Sequence, residues 1–233
     1  MFKNLKIGAK LIIVGALILI IPLGLIGYFS ITKATTGLVD LEHEQLRARS
    51  SEIATAVDNV FQVEMKLAME LANGNTAIEA LATLSNDGQR EAMNLIGQLN
   101  RELRRFSRTE GLGNDYQVVV ATDLNGTVVA ASDPSYIDVS IGDRQYLQDA
   151  LQGRVNLGAA GRNKVTQEPF IPIAAPVYAE DGTIVGGMAM IMGLEFLNNI
   201  ILDATIGDTG YAFVADANGL IIAHPDQSTL VEL

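Results

Sequence analysis

The chain has 233 residues, 48% of them hydrophobic, with a net charge of −11 at pH 7 and no cysteine. The lack of cysteine excludes disulfides, thiolate metal sites and a cysteine nucleophile. Residues 1–32 hold three lysines and no acidic residue, so the remaining 13 basic and 27 acidic residues give the rest of the chain a net charge of −14. Such an acidic chain is a poor partner for nucleic acid.

Residues 11–29 are the first predicted element, a transmembrane helix. They form a run without a charged side chain, LIIVGALILIIPLGLIGYF, whose helical length of about 28 Å approaches the roughly 30 Å hydrocarbon core of a bilayer. Because three lysines precede the run, we expect residues 1–10 to be cytoplasmic and the chain from about residue 30 to lie outside. A cleaved signal peptide is the alternative, which the length of the run and the lack of a small-residue cleavage site disfavour.

Residues 30–110 are predicted to form a helical stalk. Apolar residues recur along its first helix at steps of three and four, which places them on one face. They are Ile53, Val57, Val60, Leu67 and Leu71, and Glu64 occupies the remaining slot. This face packs against the folded domain, which is the favoured interpretation, or against a second copy in a homodimer, and the two are compatible. Asn73-Gly74 ends the helix, and helices at 76–84, with Thr76 as N-cap, and 89–106 follow.

Residues 111–204 change to a strand pattern. Strands are predicted over residues 116–121, 127–131, 155–158, 170–178 and 183–192, with a helix at about 144–152. Asn125-Gly126 and Asp181-Gly182 are typical of hairpin turns. Antiparallel strands with short turns and one helical excursion predict an α+β domain with a single sheet of about five strands.

The same pattern begins again near residue 205. After a predicted helix over 194–204, two apolar strands flank Asp216-Ala217-Asn218-Gly219, which repeats the form of Asp123-Leu124-Asn125-Gly126. This internal repeat predicts a second lobe, of which residues 205–233 are a truncated start. Because a half-sheet with open edges is unstable alone, we expect the chain to be part of a longer one.

Several motifs together resemble the double Cache sensor domains of bacterial transmembrane receptors. They are Asp123 to Thr127 between two strands, Asp143-Arg144-Gln145-Tyr146, Ala175-Pro176-Val177-Tyr178, Asp181 to Gly186, Gly207 to Tyr211 and His224-Pro225. The opening MFKNLKIGAKL is similar to that of methyl-accepting chemotaxis proteins. The resemblance implies two PAS-like antiparallel-sheet lobes, with residues 111–204 as the membrane-distal lobe that holds a small-molecule pocket and the lobe from 205 as the membrane-proximal one. It also implies location in a bacterial inner membrane, with the sensor on the periplasmic or extracellular side and cytoplasmic signalling partners reached through a further region.

The resemblance also bears on the ligand. Family members that bind amino acids grip the carboxylate with an Arg-x-Trp-Tyr element and the ammonium with two aspartates. This sequence has Arg144 and Tyr146, but Leu147 takes the place of the second aromatic residue, and Asn163 and Ile191 take the places of the aspartates. Without either anion an ammonium lacks charge-assisted partners. We therefore expect a small carboxylate or similar anion.

Six residues are the candidate ligand-binding set: Arg144, Tyr146, Arg162, Asn163, Lys164 and Tyr178. In this hypothesis Arg144 binds the carboxylate with its planar guanidinium and Tyr146 assists. Two alternatives remain open. Arg144 is instead a helix-start residue paired with Asp143 or Asp149, and the two tyrosines are instead core residues with satisfied hydroxyl groups.

Enzymatic functions find little support in the residues. The two histidines, His43 and His224, are assigned to different parts of the chain, and His224 before Pro225 is typical of a strand end. Asp123-x-Asn125-Gly126 lacks the later ligands of a calcium loop, which favours a hairpin turn. We expect no cofactor and no metal.

The sequence thus predicts the extracytoplasmic sensor portion of a bacterial transmembrane chemoreceptor, which binds a small molecule in the distal lobe and signals through the stalk. The alternative is the same sensor on a histidine kinase or diguanylate cyclase. A pilin-like subunit is disfavoured by the uncharged anchor and by the repeat.

Overall fold

The computed structural model of the protein describes residues 7–108, 116–202, 210–216 and 219–226. Parts of the predictions lie outside these residues: most of the cytoplasmic segment (1–6), the end of the stalk (109–110), the start of the distal lobe (111–115), the end of the helix over 194–204 (203–204), and positions 205–209, 217–218 and 227–233 of the second lobe. The chain divides into two compact units, residues 1–52 and 53–233. The first helix, α1 (Ile7–Ala72), belongs to the first unit up to Glu52 and to the second from Ile53.

The apolar run at 11–29 is helical throughout. Its large side chains are exposed, for example Leu11 at 70% and Ile20 at 67%. Pro22 lies inside the helix without ending it, as membrane helices tolerate. Among the described residues α1 is the one helix long and apolar enough to cross a membrane, judged by length and composition.

The described part of the second unit contains both helices and strands. Its helices after α1 are α2 (Asn75–Asn86), α3 (Gln89–Phe106), α4 (Gln145–Leu151) and α5 (Glu195–Leu202). Its strands are β1 (Tyr116–Thr122), β2 (Val128–Ala131), β3 (Asn156–Leu157), β4 (Gly161–Arg162), β5 (Pro169–Tyr178), β6 (Ile184–Gly193), β7 (Val214–Ala215) and β8 (Ile221–Ala223). A short 3₁₀ helix covers Pro134–Tyr136.

The strands β1 to β6 form one antiparallel sheet in the order β2-β1-β6-β5-β3, and β4 also pairs with β5. The α+β class with an antiparallel sheet is confirmed. The sheet has six strands instead of about five, because the two-residue strand β4 pairs Gly161 with Phe170 and Arg162 with Pro169.

The two faces of the sheet bury separate apolar clusters, since successive side chains of a strand point to opposite faces. One cluster joins Val119 of β1 and Met190 of β6 to Leu81, Leu99 and other residues of α1, α2 and α3. The second cluster, on the opposite face, joins Val118 and Val120 to residues of α4 and of the segment after β2. Part of the predicted stalk therefore contributes to the core of the sheet domain.

The predicted repeat is visible in the hydrogen bonds of its two turns. Asp123 Oδ1 accepts from Thr127 N at 2.8 Å, and Asp216 Oδ1 accepts from Leu220 N at 2.9 Å. The glycine ending each turn has a positive φ, 80° at Gly126 and 83° at Gly219. Because β1 and β2 pair antiparallel across the first of these turns, the predicted hairpin is confirmed there.

Thr76 differs from its predicted role as an N-cap. Helix α2 starts one residue earlier, with Gly74 at the N-cap and no side-chain hydrogen bond there. The Thr76 hydroxyl instead donates to Glu102 Oε1 of α3 at 2.8 Å. A tertiary contact between two helices therefore replaces the local cap.

Candidate functional site

A small cavity lies on the face of the sheet opposite α2 and α3. It has a volume of about 30 Å³, which is room for about two water molecules. Twelve residues line it: Val118, Val120, Val128, Tyr136, Val139, Ile141, Arg144, Tyr146, Asn163, Lys164, Phe170 and Ile191. The walls are mostly apolar, and the two charged lining residues are both cations.

The sheet forms one wall of the cavity, because the side chains of each strand alternate between its two faces. Val118 and Val120 of β1 and Ile191 of β6 face the cavity, whereas Val119 and Met190 face the helices. The pairing of β1 with β6 shifts register between Tyr116 and Val118. Such bulges re-aim side chains next to binding sites.

Arg144 occupies the N-cap position of α4 with extended backbone angles and is half-buried. Its Nη2 donates to the carbonyl of Arg162 at 3.1 Å. Both carboxylates considered as its partners are engaged elsewhere, because Asp143 pairs with Lys164 and Asp149 with Arg154. Within the described residues the Arg144 guanidinium has no carboxylate ion-pair partner, so an incoming anion does not have to displace one.

Tyr146 is buried beside Arg144, and its ring packs edge-on against Phe170 with centroids 6.4 Å apart. Burial raises the pKa of Tyr146 to about 12, an effect that the nearby Arg144 charge partly opposes. The hydroxyl is therefore neutral at physiological pH. In this form it can donate to an anion.

Asn163 is 4% exposed, and both polar atoms of its side-chain amide are hydrogen-bonded. Its Nδ2 donates to Gln117 Oε1 at 2.8 Å, and its Oδ1 accepts from Val165 N at 2.9 Å. These bonds hold the segment after β4 against the start of β1. The cavity wall at this point is consequently rigid and uncharged.

Lys164 lines the cavity, but its ammonium is already satisfied. It donates to Asp143 Oδ1 at 2.6 Å and to the carbonyl of Ser140 at 2.9 Å. The pair lowers the pKa of Asp143, chiefly through the hydrogen bond from Lys164. Lys164 thus ties the segment after β4 to the segment before α4.

Two of the six candidates do not line the cavity. Arg162 donates from Nη1 to the carbonyl of Gln167 at 3.0 Å. Tyr178, at the end of β5, directs its hydroxyl to the carbonyl of Gly153 at 3.5 Å. The structure therefore brings together Arg144, Tyr146, Asn163 and Lys164, and the binding role of all six stays a prediction.

Tyr136 was not among the candidates, although it lines the cavity. It is 6% exposed, and its hydroxyl makes no hydrogen bond within the described part of the chain. Burial raises its pKa, while the side chains of Asn163 and Thr166 lie near enough to oppose that effect without meeting hydrogen-bond geometry. The available sequence signal was the set of apolar residues in the otherwise polar segment after β2, which are Tyr136, Ile137, Val139 and Ile141.

A larger groove of about 310 Å³ lies between α3 and the β1–β2 hairpin, with Met93, Asn100 and Val129 among its lining residues. Its polar groups are largely satisfied by the fold. Asp123 accepts from its own turn, and Asn100 Oδ1 accepts from Ala131 N at 2.7 Å. No cationic residue lines it in the described chain. The smaller cavity is therefore the better candidate for a binding site.

The family model for the Cache domain matches residues 34–232, and the chain therefore belongs to the Cache domain family. Its dCache_1 type confirms the predicted resemblance to double Cache sensors. Cache domains are extracellular sensor domains of membrane proteins. No curated protein sequence is significantly similar to the chain.

Several solved structures share the fold. The ligand-binding domain of the Pseudomonas aeruginosa amino acid chemoreceptor PctC in complex with GABA is 24% identical, with a TM-score of 0.55 over 81% of this chain and 79% of that one. The Campylobacter jejuni chemoreceptor Tlp3 domain with L-norvaline is 20% identical, with a TM-score of 0.59 over 82% and 73%. The sensor domain of the Vibrio cholerae histidine kinase DctB is 16% identical, with a TM-score of 0.57 over 69% of this chain. The chain spans 58% of the DctB domain's length.

Proposed function

We propose that the chain is the extracytoplasmic sensing portion of a bacterial transmembrane chemoreceptor, anchored by residues 11–29, and that it binds a small anion in the cavity beside Arg144. The observation that carries the proposal is a half-buried guanidinium, without a carboxylate partner in the described chain, at an apolar cavity of a Cache sheet. Ligand binding requires the cavity to widen, because it has room for only about two water molecules and an organic acid is larger than that.

The binding part of the proposal is tested by calorimetric titration of the full chain in detergent against a panel of small organic acids. Arg144→Ala should weaken binding of any acid that binds by at least about tenfold, because an ion-paired hydrogen bond is lost. Arg154→Ala is the matched control, since it removes an equal charge from the far end of α4 and leaves the cavity lining intact. Equal affinities for the two variants would refute the role of Arg144.

The topology is tested by labelling, because the chain has no native cysteine. A single cysteine at Asp181 in the β5–β6 turn should react with a membrane-impermeant maleimide in intact spheroplasts. A cysteine at Asn4 should react only after lysis. Protection of the Asp181 position would place the domain on the other side of the membrane and refute the proposal.

The second candidate for the whole protein is a sensor histidine kinase, which the likeness to the DctB sensor domain supports, or a diguanylate cyclase with the same sensor. The candidates differ in the genomic sequence downstream of codon 233. A long coiled coil with methylatable glutamates supports a chemoreceptor. A kinase or cyclase domain supports the second candidate.

A further inference from the structure

The hydroxyl of Tyr136 is the one buried group of the cavity that the fold leaves without a hydrogen bond in the part of the chain described. Of its two polar neighbours, the amide of Asn163 is committed to Gln117 and to the backbone of Val165, and the Thr166 hydroxyl accepts from Glu168 N at 3.3 Å. Buried hydroxyl groups are normally paired, since leaving one unpaired destabilises a protein. An oxygen atom of a bound ligand would accept a hydrogen bond from the Tyr136 hydroxyl.

The charges of the lining limit what else the ligand carries. None of the described residues that line the cavity carries a carboxylate, so an ammonium would lose its hydration without gaining an anion from them. A second carboxylate would need a second cation, and Lys164 is paired with Asp143 and the Ser140 carbonyl. The remaining walls are aliphatic or aromatic, which favours burial of an uncharged hydrocarbon chain.

We propose, building on the anion-binding function above, that the ligand is a monocarboxylate with a short uncharged hydrocarbon chain, and that Tyr136 donates a hydrogen bond to one of its oxygens. Arg144 holds the carboxylate and the valine and isoleucine side chains cover the hydrocarbon chain. Amino acids and dicarboxylates of similar size are excluded by charge, not by volume.

The test of ligand class uses three probes of similar size on the full chain in detergent: 3-methylbutanoate, L-valine and succinate. We expect 3-methylbutanoate to bind at least about tenfold more tightly than the other two. Tighter binding of L-valine or succinate overturns this inference and leaves the anion-sensing function standing. If no member of the wider organic-acid panel binds, the proposed function itself fails.

The role of Tyr136 is tested by Tyr136→Phe, with Tyr211→Phe as the control because Tyr211 is 57% exposed and does not line the cavity. Tyr136→Phe should lower the affinity for 3-methylbutanoate about tenfold. It should leave the melting temperature of the ligand-free protein unchanged or raise it, because no hydrogen bond is lost there. Unchanged affinity, or a melting temperature several degrees lower, overturns the assignment. Tyr211→Phe should bind 3-methylbutanoate as the native chain does.

Discussion

The side chain of Asn163 donates to Gln117 Oε1 at 2.8 Å, which joins the cavity wall to the start of β1. Gln117 in turn donates to the carbonyl of Pro169 at 2.9 Å. The preceding residue, Tyr116, belongs to the cluster on the other face, where its hydroxyl donates to Glu64 of α1. Two consecutive residues of β1 thus connect the cavity to α1 through the thickness of the sheet.

The contact between Tyr116 and Glu64 should contribute measurably to stability. Tyr116→Phe keeps the ring that packs at 5.5 Å from Phe106 and removes only the hydroxyl. We expect the free energy of unfolding to fall by about 1–2 kcal/mol, since the acceptor is a half-buried carboxylate. Glu64→Gln retains an oxygen acceptor and should cost less. Urea denaturation measures both, and no loss in Tyr116→Phe would contradict the prediction.

The raised pKa of Tyr146 predicts a loss of stability at alkaline pH. Its pKa is about 12 in the folded protein and about 10 in an unfolded chain. The stability that accompanies the neutral hydroxyl is therefore fully present below about pH 10 and is lost as the pH rises toward 12. The difference corresponds to roughly 2–3 kcal/mol. Tyr146→Phe should reduce the loss between these pH values by about that amount. If the free energy of unfolding falls equally with pH in the native protein and in Tyr146→Phe, the prediction is refuted.

Replacing either of two glycines with alanine should change the stability of the protein, but in opposite directions. A Cβ at Gly186 would lie 2.2 Å from the carbonyl oxygen of Thr122, a backbone atom that cannot move aside easily. We expect Gly186→Ala to destabilise the protein by about 2–3 kcal/mol. Gly97 lies within α3 with no closer neighbour than Arg101 Nη1 at 3.8 Å. Gly97→Ala should stabilise by about 0.5–1 kcal/mol through helix propensity. Thermal unfolding distinguishes the two outcomes.

Lys164 should matter less for ligand affinity than Arg144. Its ammonium pairs with Asp143, whose side chain is 65% exposed, and such surface pairs contribute about 0–1 kcal/mol. We expect Lys164→Met to cost no more stability than this and to weaken anion binding less than Arg144→Ala does. An NMR titration should also show the Asp143 pKa rising toward its ordinary value, because Lys164 is the main cause of its lowering. If Lys164→Met weakens anion binding more than Arg144→Ala does, Lys164 and not Arg144 is the main anion-binding residue.

Elements with a clear period could be predicted from the sequence. The bounds of α3 agree with the prediction, and α1 ends one residue before Asn73. Period and turn chemistry are local properties, so a single sequence contains them.

The features that were missed depend on contacts between distant residues. The strand β4 is two residues long and exists through its pairing with β5. The sequence predicts Thr76 as an N-cap, but its hydroxyl pairs with Glu102, 26 positions away. Tyr136 is buried by a loop that returns to the sheet, as the bond from Asp138 N to the Val128 carbonyl at 2.9 Å shows. No local sequence pattern predicts these long-range contacts.

Three fully buried methionines of β6, Met188, Met190 and Met192, form part of the layer between the sheet and the helices. Methionine is unbranched and its thioether is polarizable, so it keeps its contacts over a range of side-chain conformations. If the strands shift by about an ångström when a ligand binds on the opposite face of the sheet, this methionine layer can repack without opening voids. Oxidation of any of these sulfur atoms to a sulfoxide would introduce a polar group into an apolar layer and destabilise it.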